Sequence, residues 1–320
     1  MASHGRAAPV RVRVLYIAGS GRSGTTFLGH LLGQVEGVCY VGEVMQATAS
    51  LDTQRCGCGV PLRQCDFWTA VRRHAGGARL LEASQFFGLG ALARWRHLPL
   101  TFVYGRKRRL ESLYGSHWRG CERLYRAITE TTGCEVVVDS SKAVPYLRML
   151  SLVPGLEVHV VHVVRDARAV AYSWQRVKPT PDRFNAVTMK TLARGTAAIT
   201  WSISNAGAEL VGRRVPGRYL RLRYEDMIAE PRPSVERILR LVTERRAVLP
   251  FVGERVVDLR PTHSVKGNPD RLTTGRTELK LDDEWKSRMS RSDHRFVTAM
   301  TWPLLVRYGY QARISGDSRA

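Results

Sequence analysis

The chain is short of lysine and of acidic residues, and it lacks long apolar segments. Only seven of its 50 basic residues are lysine, and with 28 acidic residues the formal net charge is +22. No apolar run is long enough to span a membrane, and the best candidate, residues 86–103, is interrupted by Arg94, Arg96 and His97. The first six residues are not followed by the apolar core of a secretory signal. We therefore expect a soluble, cytoplasmic protein without a transmembrane segment.

The positive charge has two explanations. It fits an anionic partner such as nucleic acid, a lipid surface or an anionic cofactor. The excess of arginine over lysine also fits the composition of a GC-rich genome, which is the simpler explanation. No nucleic-acid-binding motif is present, and the aromatic residues do not alternate with basic ones as in a base-stacking surface. We expect no nucleic-acid partner, whereas peripheral membrane contact and the oligomeric state stay open.

Residues 12–28 have the pattern of a phosphate-binding turn. A β-branched apolar run leads into a glycine-rich turn, and an amphipathic helix follows directly. Such a turn presents backbone N–H groups, the positive end of the helix dipole and hydroxyl groups to an anion. Gly19 and Gly24 have the spacing of a Walker A loop, but Thr25 replaces the Walker A lysine and the nearest cation is Arg22. The turn is expected to bind a phosphate-like group without the ATPase lysine.

A second phosphate site is indicated by residues 160–173. An apolar strand ends at Arg165, and Ser173 follows eight residues later on a predicted helix. The guanidinium group of an arginine can bind a phosphate through two parallel hydrogen bonds. The sequence therefore predicts two separate anion-binding positions.

The two motifs together resemble those of sulfotransferases that use 3′-phosphoadenosine 5′-phosphosulfate (PAPS). The resemblance covers residues 10–310 and is closer to bacterial and Golgi-type carbohydrate and tyrosylprotein enzymes than to the cytosolic branch. It implies PAPS as co-substrate, with Arg165 and Ser173 on the 3′-phosphate and no metal in the reaction. The residues implied on the 5′-phosphosulfate are Gly19, Gly21, Arg22, Ser23, Gly24, Thr25 and Thr26.

Further contacts are implied by the same resemblance. Lys142, which follows a predicted strand, resembles the lysine that contacts the bridging oxygen of the leaving group. Residues 263–271 resemble a late loop of the bacterial enzymes that folds over the nucleotide. The loop residues implied in binding are Lys266, Gly267, Asn268 and Arg271. Tyr224 follows the last strand and either lines the adenine pocket or is a packed core tyrosine.

Sulfuryl transfer also needs a base for the acceptor hydroxyl. Glu43 is preferred, because the Gly-Glu pair after the second predicted strand resembles the catalytic pair of tyrosylprotein and carbohydrate sulfotransferases. His97 lies in a His-Leu-Pro sequence like that of the cytosolic enzymes, but it is 68 residues from Arg165. Asp139, at the end of another strand, is a second rival, although a capping role fits it equally.

Alternating strands and helices predict an α/β fold, a P-loop NTPase-like parallel sheet with helices on both faces. The predicted strands are 12–18, 38–41, 135–139, 158–164 and 219–223. The predicted helices are 25–34, 143–150, 166–176, 184–211, 233–245, 282–290 and 293–308. Residues that follow these strands should meet at one edge of the sheet, where α/β proteins bind ligands.

Residues 10–310 are predicted to form a single domain, with disordered tails at 1–9 and 311–320. A helical or irregular insertion at 45–133 is expected to form the acceptor side. Its aromatic residues are Trp68, Phe86, Phe87, Trp95, Phe102, Tyr104, Tyr114 and Trp118. The basic run 106–109 is either a solvated face or a contact for an anionic acceptor or membrane. Small-molecule, lipid and carbohydrate acceptors all remain open.

Six cysteines are present, and three of them are clustered at Cys56, Cys58 and Cys65. They are either plain thiols or a local disulfide, or they begin a structural zinc site with His74 as fourth ligand. The C-x-C spacing is not the usual C-x-x-C knuckle, which favours the first explanation.

Two other functions remain as alternatives to sulfuryl transfer. One is a P-loop nucleotide kinase or NTPase, against which the missing Walker A lysine argues. The other is a basic protein without catalytic activity that binds nucleic acid or an anionic membrane.

Overall fold

The computed structural model describes residues 11–45, 54–76, 107–177, 179, 188–245 and 247–311, with the backbone alone at 107–110, 113 and 114. The strands in these ranges are β1 Val12–Gly19, β2 Val38–Gly42, β3 Val136–Asp139, β4 Leu156–Val164, β5 Tyr219–Arg223, β6 Val256–Leu259 and β7 Gly275–Glu278. The α-helices are α1 Thr25–Leu32, α2 Asp66–His74, α3 Lys107–Thr132, α4 Val144–Leu150, α5 Ala167–Gln175, α6 Arg194–Gly212, α7 Tyr224–Ala229, α8 Pro231–Leu239, α9 Trp285–Arg288 and α10 Arg291–Arg307.

Five strands form one parallel sheet in the order β2-β3-β1-β4-β5. The central strand β1 pairs with both β3 and β4, so that Val14 lies opposite Val137 on one side and Val158 on the other. The strands β1, β3 and β4 are almost wholly buried, as their mostly β-branched and apolar sequences predict for a sheet covered on both faces. The predicted parallel sheet flanked by helices is confirmed.

Each face of the sheet has its own hydrophobic core. Successive residues of a strand point to opposite faces, and β1 therefore contributes to both cores. Leu15 and Ile17 pack with residues of α1, α7, α8 and β6, which are Leu28, Leu31, Met227, Ile238 and Val257. Val14 and Tyr16 pack with residues of α2, α3 and α4, which are Trp68, Tyr125, Ile128 and Leu147. The two cores hold the strands rigidly at the edge where the loops emerge.

The carboxyl ends of the five strands lie at one edge, as expected. The glycine-rich turn follows β1, Glu43 follows β2, Lys142 follows β3, Arg165 follows β4 and Tyr224 follows β5. Residues far apart in the chain are therefore brought together by the parallel topology.

Some elements differ from the sequence-based expectation. The helix expected over 184–211 begins at Arg194, since the Leu192 amide is hydrogen-bonded to the Trp174 carbonyl outside any helix. The helix expected at 233–245 spans Pro231–Leu239 and follows a separate short helix, α7. The antiparallel pair of β6 and β7, each four residues long, was not expected from the sequence.

Part of the predicted insertion lies outside the described residues, and so do the tails except Gln311. The same holds for Phe86, Phe87, Trp95, His97, Phe102, Tyr104 and the side chain of Tyr114. Across the helices that are described, none combines the length and the apolar character needed to cross a bilayer.

Candidate active site

The turn after β1 is shaped by two glycines. Gly19 has a φ of +137°, and a Cβ there would lie 2.3 Å from the Val163 carbonyl oxygen on the neighbouring strand β4. Gly24 has a φ of +80°, and its Cβ would lie 2.6 Å from the Tyr224 ring. Helix α1 then begins at Thr25 without a side-chain cap, so its first amides have no intrahelical acceptor. This geometry is that of an anion-binding helix start.

Buried polar atoms in this turn lack partners. Nε, Nη1 and Nη2 of Arg22 and the hydroxyls of Ser20 and Ser23 have no hydrogen bond within the described part of the chain. The guanidinium carbon of Arg22 lies 4.8 Å from the centre of the Trp174 ring. Burial lowers the pKa of Arg22, and the charge of Asp270 partly opposes this. Because unpaired buried donors are costly, this set fits an anionic ligand.

Three cationic residues near this turn have a strained backbone. Arg22, Lys142 and Lys266 have φ values of 68°, 62° and 45°, and they are the only non-glycine residues with positive φ among those described. The left-handed region costs a side-chain-bearing residue about 1–2 kcal/mol. Such strain is concentrated at functional sites, where the surrounding structure maintains it.

Glu43 and Lys142 form an ion pair across the ends of β2 and β3. The Lys142 ammonium contacts Glu43 Oε1 and donates a second hydrogen bond to the Ser140 carbonyl at 2.8 Å. The Glu43 amide donates to the Val265 carbonyl at 2.7 Å, which fixes the backbone of the carboxylate. Both side chains are nearly buried, yet both line a cavity.

Two neighbouring cavities meet at this turn. One, of about 580 Å³, is bordered by the turn, the Glu43–Lys142 pair, Lys266 and residues of α5 and α6. The other, of about 310 Å³, is bordered by Arg165, Ser173, Tyr224 and the β7 region. The residues common to both linings are Arg22, Gly24, Phe27, Asn268 and Asp270. A larger cavity of about 620 Å³ lies at the opposite ends of β2 and β3 and contains none of the predicted site residues.

Arg165 lies beside the glycine-rich turn. Its Nη1 donates to the Arg22 carbonyl at 3.2 Å, and its Nη2 donates to the Asp282 carbonyl at 2.7 Å. The Asp282 carboxylate is 3.2 Å from Nη2, and the Tyr224 ring centre is 4.7 Å from the guanidinium carbon. Ser173 borders the same cavity. Two arginines that come from distant parts of the sequence are thereby placed at adjoining cavities.

The late loop packs on the turn, but not through every residue expected. The Asn268 amide donates to Thr26 Oγ1 at 3.2 Å, and a Cβ on Gly267 would lie 3.2 Å from the Thr26 side chain. Arg271 is placed differently: its guanidinium is fully buried and donates to the carbonyls of Ser264 and Arg55, both at 2.8 Å. We therefore assign Arg271 to holding the loop together and not to binding a ligand.

The structure also revises the secondary candidates. Asp139 is fully buried, accepts hydrogen bonds from Ser141 and Tyr125, and borders neither cavity. It stabilises the turn after β3, whereas the residue preceding α4 is Ala143. Trp68 and Trp118, expected on the acceptor side, are buried in the core. His97 lies outside the described residues.

Several residues of the site carry no signal in the sequence. Trp174 covers Arg22, and Asp270 and Asp282 place carboxylates near Arg22 and Arg165. They belong to loops or to a helix surface, and only the tertiary fold brings them to the turn.

The chain matches a known protein family. The family described as "Sulfotransferase domain" matches residues 13–291. No curated protein matches the chain by sequence.

Among solved structures, the chain is similar to a sulfotransferase domain from the Synechococcus PCC 7002 olefin synthase, at 17% identity, 96% coverage of this chain, 98% of that one and a TM-score of 0.49. It is also similar to a sulfotransferase domain from the curacin biosynthetic pathway, at 14% identity and a TM-score of 0.49; the match covers 96% of this chain and 99% of that one. A third similar structure is the sulfotransferase STF1 from Mycobacterium tuberculosis H37Rv, at 15% identity and a TM-score of 0.38; the match covers 73% of this chain and 68% of that one. Because the family match spans most of its length, the chain belongs to the sulfotransferase domain family.

Proposed function

We propose that this sulfotransferase uses PAPS as donor and transfers its sulfuryl group to the hydroxyl of a small-molecule, lipid or carbohydrate acceptor. The observation that carries the proposal is the unpaired Arg22 guanidinium, buried in a glycine-rich turn where two cavities meet. A donor with two anionic ends needs one cationic site in each cavity. Arg22 supplies one of these sites, and Arg165, which lies beside it, supplies the other.

Each cavity then has a distinct part in binding. The cavity that Arg165, Ser173 and Tyr224 border suits the adenosine 3′-phosphate end of the donor. Arg22, Ser23 and the first amides of α1 suit the 5′-phosphosulfate, because they combine a cation with unpaired hydrogen-bond donors. The cavity that contains Glu43 and Lys142 is left for the transferred group and the acceptor.

The chemistry follows from the Glu43–Lys142 pair. PAPS supplies a sulfuryl group whose S–O bond to the phosphate breaks as the acceptor oxygen forms its own bond to sulfur. Glu43 takes the proton of the acceptor hydroxyl, for which its carboxylate must be ionised, and Lys142 is the counterion beside it. The Lys142 ammonium and Arg22 stabilise the negative charge that remains on the leaving phosphate.

A thermal shift experiment tests donor binding without knowledge of the acceptor. Adenosine 3′,5′-bisphosphate is expected to raise the melting temperature in the absence of Mg²⁺, and Mg-ATP is not. Arg165→Ala should abolish this rise, whereas Arg237→Ala, an exposed arginine of α8 that borders neither cavity, should retain it. Stabilisation by Mg-ATP alone would instead support a nucleotide kinase or NTPase.

Glu43→Gln tests the base. The variant should bind adenosine 3′,5′-bisphosphate as the wild type does, because the amide keeps the shape of the side chain. Turnover should fall by about 10²–10⁴-fold, the usual contribution of a general base. Mass spectrometry of a cell extract incubated with PAPS and enzyme detects products that gain one sulfo group. Unchanged product formation by Glu43→Gln would remove Glu43 from the mechanism.

A further inference from the structure

A cluster of four metal-ligating side chains lies outside the candidate active site. Cys56, Cys58, Cys65 and His263 place one ligand atom each within 4.8 Å of one another. Cys56 and Cys58 lie in a turn of the segment before α2, and Cys65 directly precedes α2. His263 comes from a segment 198 residues after Cys65, between β6 and β7.

The distances within the cluster match a tetrahedral metal site. The sulfurs of Cys58 and Cys65 are 3.7 Å apart, and Nδ1 of His263 is 3.3 Å from the Cys65 sulfur and 3.8 Å from the Cys56 sulfur. Zn–S and Zn–N bonds of about 2.3 and 2.05 Å at tetrahedral angles separate two sulfurs by about 3.8 Å and a sulfur from a nitrogen by about 3.6 Å. We propose that these four residues bind a structural Zn²⁺.

The alternatives expected from the sequence fit less well. All six cysteines are free thiols, and a disulfide needs sulfurs about 2.05 Å apart. One disulfide would also leave the third sulfur and the histidine without a role. His74, the fourth ligand suggested by sequence, is hydrogen-bonded through Nδ1 to the hydroxyl of Thr131 at 3.0 Å and is not part of the cluster. Three thiolates and one imidazole favour zinc over calcium or magnesium, which prefer oxygen.

Neighbouring groups hold the ligands in place. The Phe67 ring stacks on the His263 ring at 4.7 Å between centres and 11° between planes. Trp68 Nε1 donates to the His263 carbonyl at 2.9 Å, which anchors its backbone to α2. A Cβ at Gly57 would lie 2.4 Å from the Thr262 carbonyl oxygen, so only glycine lets the two segments approach this closely. Such supporting contacts are typical of metal sites.

With four protein ligands, the site leaves no open position for catalysis, and the metal therefore stabilises structure. Zn²⁺ would join the cysteine turn to the segment that contacts the candidate active site through Val265, which accepts from the Glu43 amide, and Asn268, which donates to Thr26. Removing the metal should therefore loosen both contacts. The importance of these two contacts for the candidate active site rests on the proposed function, whereas metal binding itself does not.

The test is metal analysis of the full chain, purified without a polyhistidine tag. Inductively coupled plasma mass spectrometry should find one zinc per chain, and the Co²⁺-substituted protein should show thiolate charge-transfer and tetrahedral ligand-field bands. Cys65→Ser and His263→Asn should lose the zinc, whereas the matched controls Cys134→Ser and His74→Asn should retain it.

Wild-type protein without stoichiometric zinc, or Co²⁺ spectra without thiolate bands, would overturn the proposal, and neither result depends on whether a variant folds. Zinc retained by His263→Asn but lost by His74→Asn would likewise overturn it. If zinc is present but adenosine 3′,5′-bisphosphate fails to bind, the metal site stands and the proposed function falls.

Discussion

Replacing Arg22 is expected to stabilise the ligand-free protein while it abolishes donor binding. Its three guanidinium nitrogens are buried and have no hydrogen-bond partner among the described residues, and its backbone has a φ of 68°. Both features cost free energy, and a bound anion would offset this cost. Arg22→Gly removes both at once, and its effect on stability should therefore be opposite in sign to that of most substitutions.

The magnitude follows from four contributions. Relief of the left-handed backbone contributes about 1–2 kcal/mol, and removal of an unsatisfied buried group about 1–3 kcal/mol. Against these stand the lost contact with the Trp174 ring, about 0.5–1 kcal/mol, and the greater freedom of glycine in the unfolded chain, about 0.5–1 kcal/mol. The midpoints of these ranges give a rise of about 2 kcal/mol in the free energy of unfolding. At an unfolding entropy of about 2.1 cal/mol/K per residue, this raises the melting temperature of the 320-residue chain by about 3 °C.

The assay is thermal and urea unfolding in buffer free of phosphate and sulfate, with and without adenosine 3′,5′-bisphosphate. Arg22→Ala is the matched variant: it also removes the guanidinium but keeps the strained backbone, so its gain should be about 1 kcal/mol smaller. A lower melting temperature for ligand-free Arg22→Gly, or a wild-type response of that variant to the bisphosphate, would refute the reasoning.

Two further substitutions have expected outcomes. Asp282→Asn removes the carboxylate that competes with a phosphate for Arg165, and isothermal titration should show adenosine 3′,5′-bisphosphate binding about five- to tenfold tighter; weaker binding would mean that Asp282 itself contacts the nucleotide. Burial raises the pKa of Asp139 to about 6, whereas the pKa in the unfolded chain is about 4. The protonated carboxyl therefore stabilises the folded state below a pH of about 4, and this contribution to the free energy of unfolding is lost as the pH rises to about 6. The free energy of unfolding of the wild type relative to that of Asp139→Asn should fall by about 3 kcal/mol across this pH range in urea titrations. A difference that does not change with pH would contradict the raised pKa of Asp139.

The parallel sheet and the turn after β1 were predictable because their signals are local. The signals are an apolar strand, a turn containing Gly19 and Gly24, and a helix that starts at Thr25, and they are contiguous in the sequence. The two glycines have positive φ values, and a Cβ at either position would clash with a neighbour, which determines the shape of the turn. The position of Arg165 and Lys142 at this edge of the sheet was predictable in the same way, since each follows an apolar strand whose carboxyl end must meet the others.

Contacts between distant segments were not predictable. Nothing in the surroundings of His263 distinguishes it from His74 as a partner for the cysteines, and only the packing of residues 262–265 against the cysteine turn decides between them. Arg271 was implied in ligand binding by the resemblance of residues 263–271 to a late loop of the bacterial enzymes. Its buried hydrogen bonds to two carbonyls depend on a backbone path that single-sequence patterns do not specify.

The hydrogen bond between Asn268 and Thr26 joins two segments that are 242 residues apart in the sequence. On a ribosome, the turn after β1 emerges early, but the segment that covers it is made only after all five strands of the sheet. At ordinary rates of synthesis this delay is on the order of tens of seconds. In a nascent chain the turn therefore stays uncovered until residue 268 has been made, and under the proposed function the nucleotide can stabilise the fold only after that point.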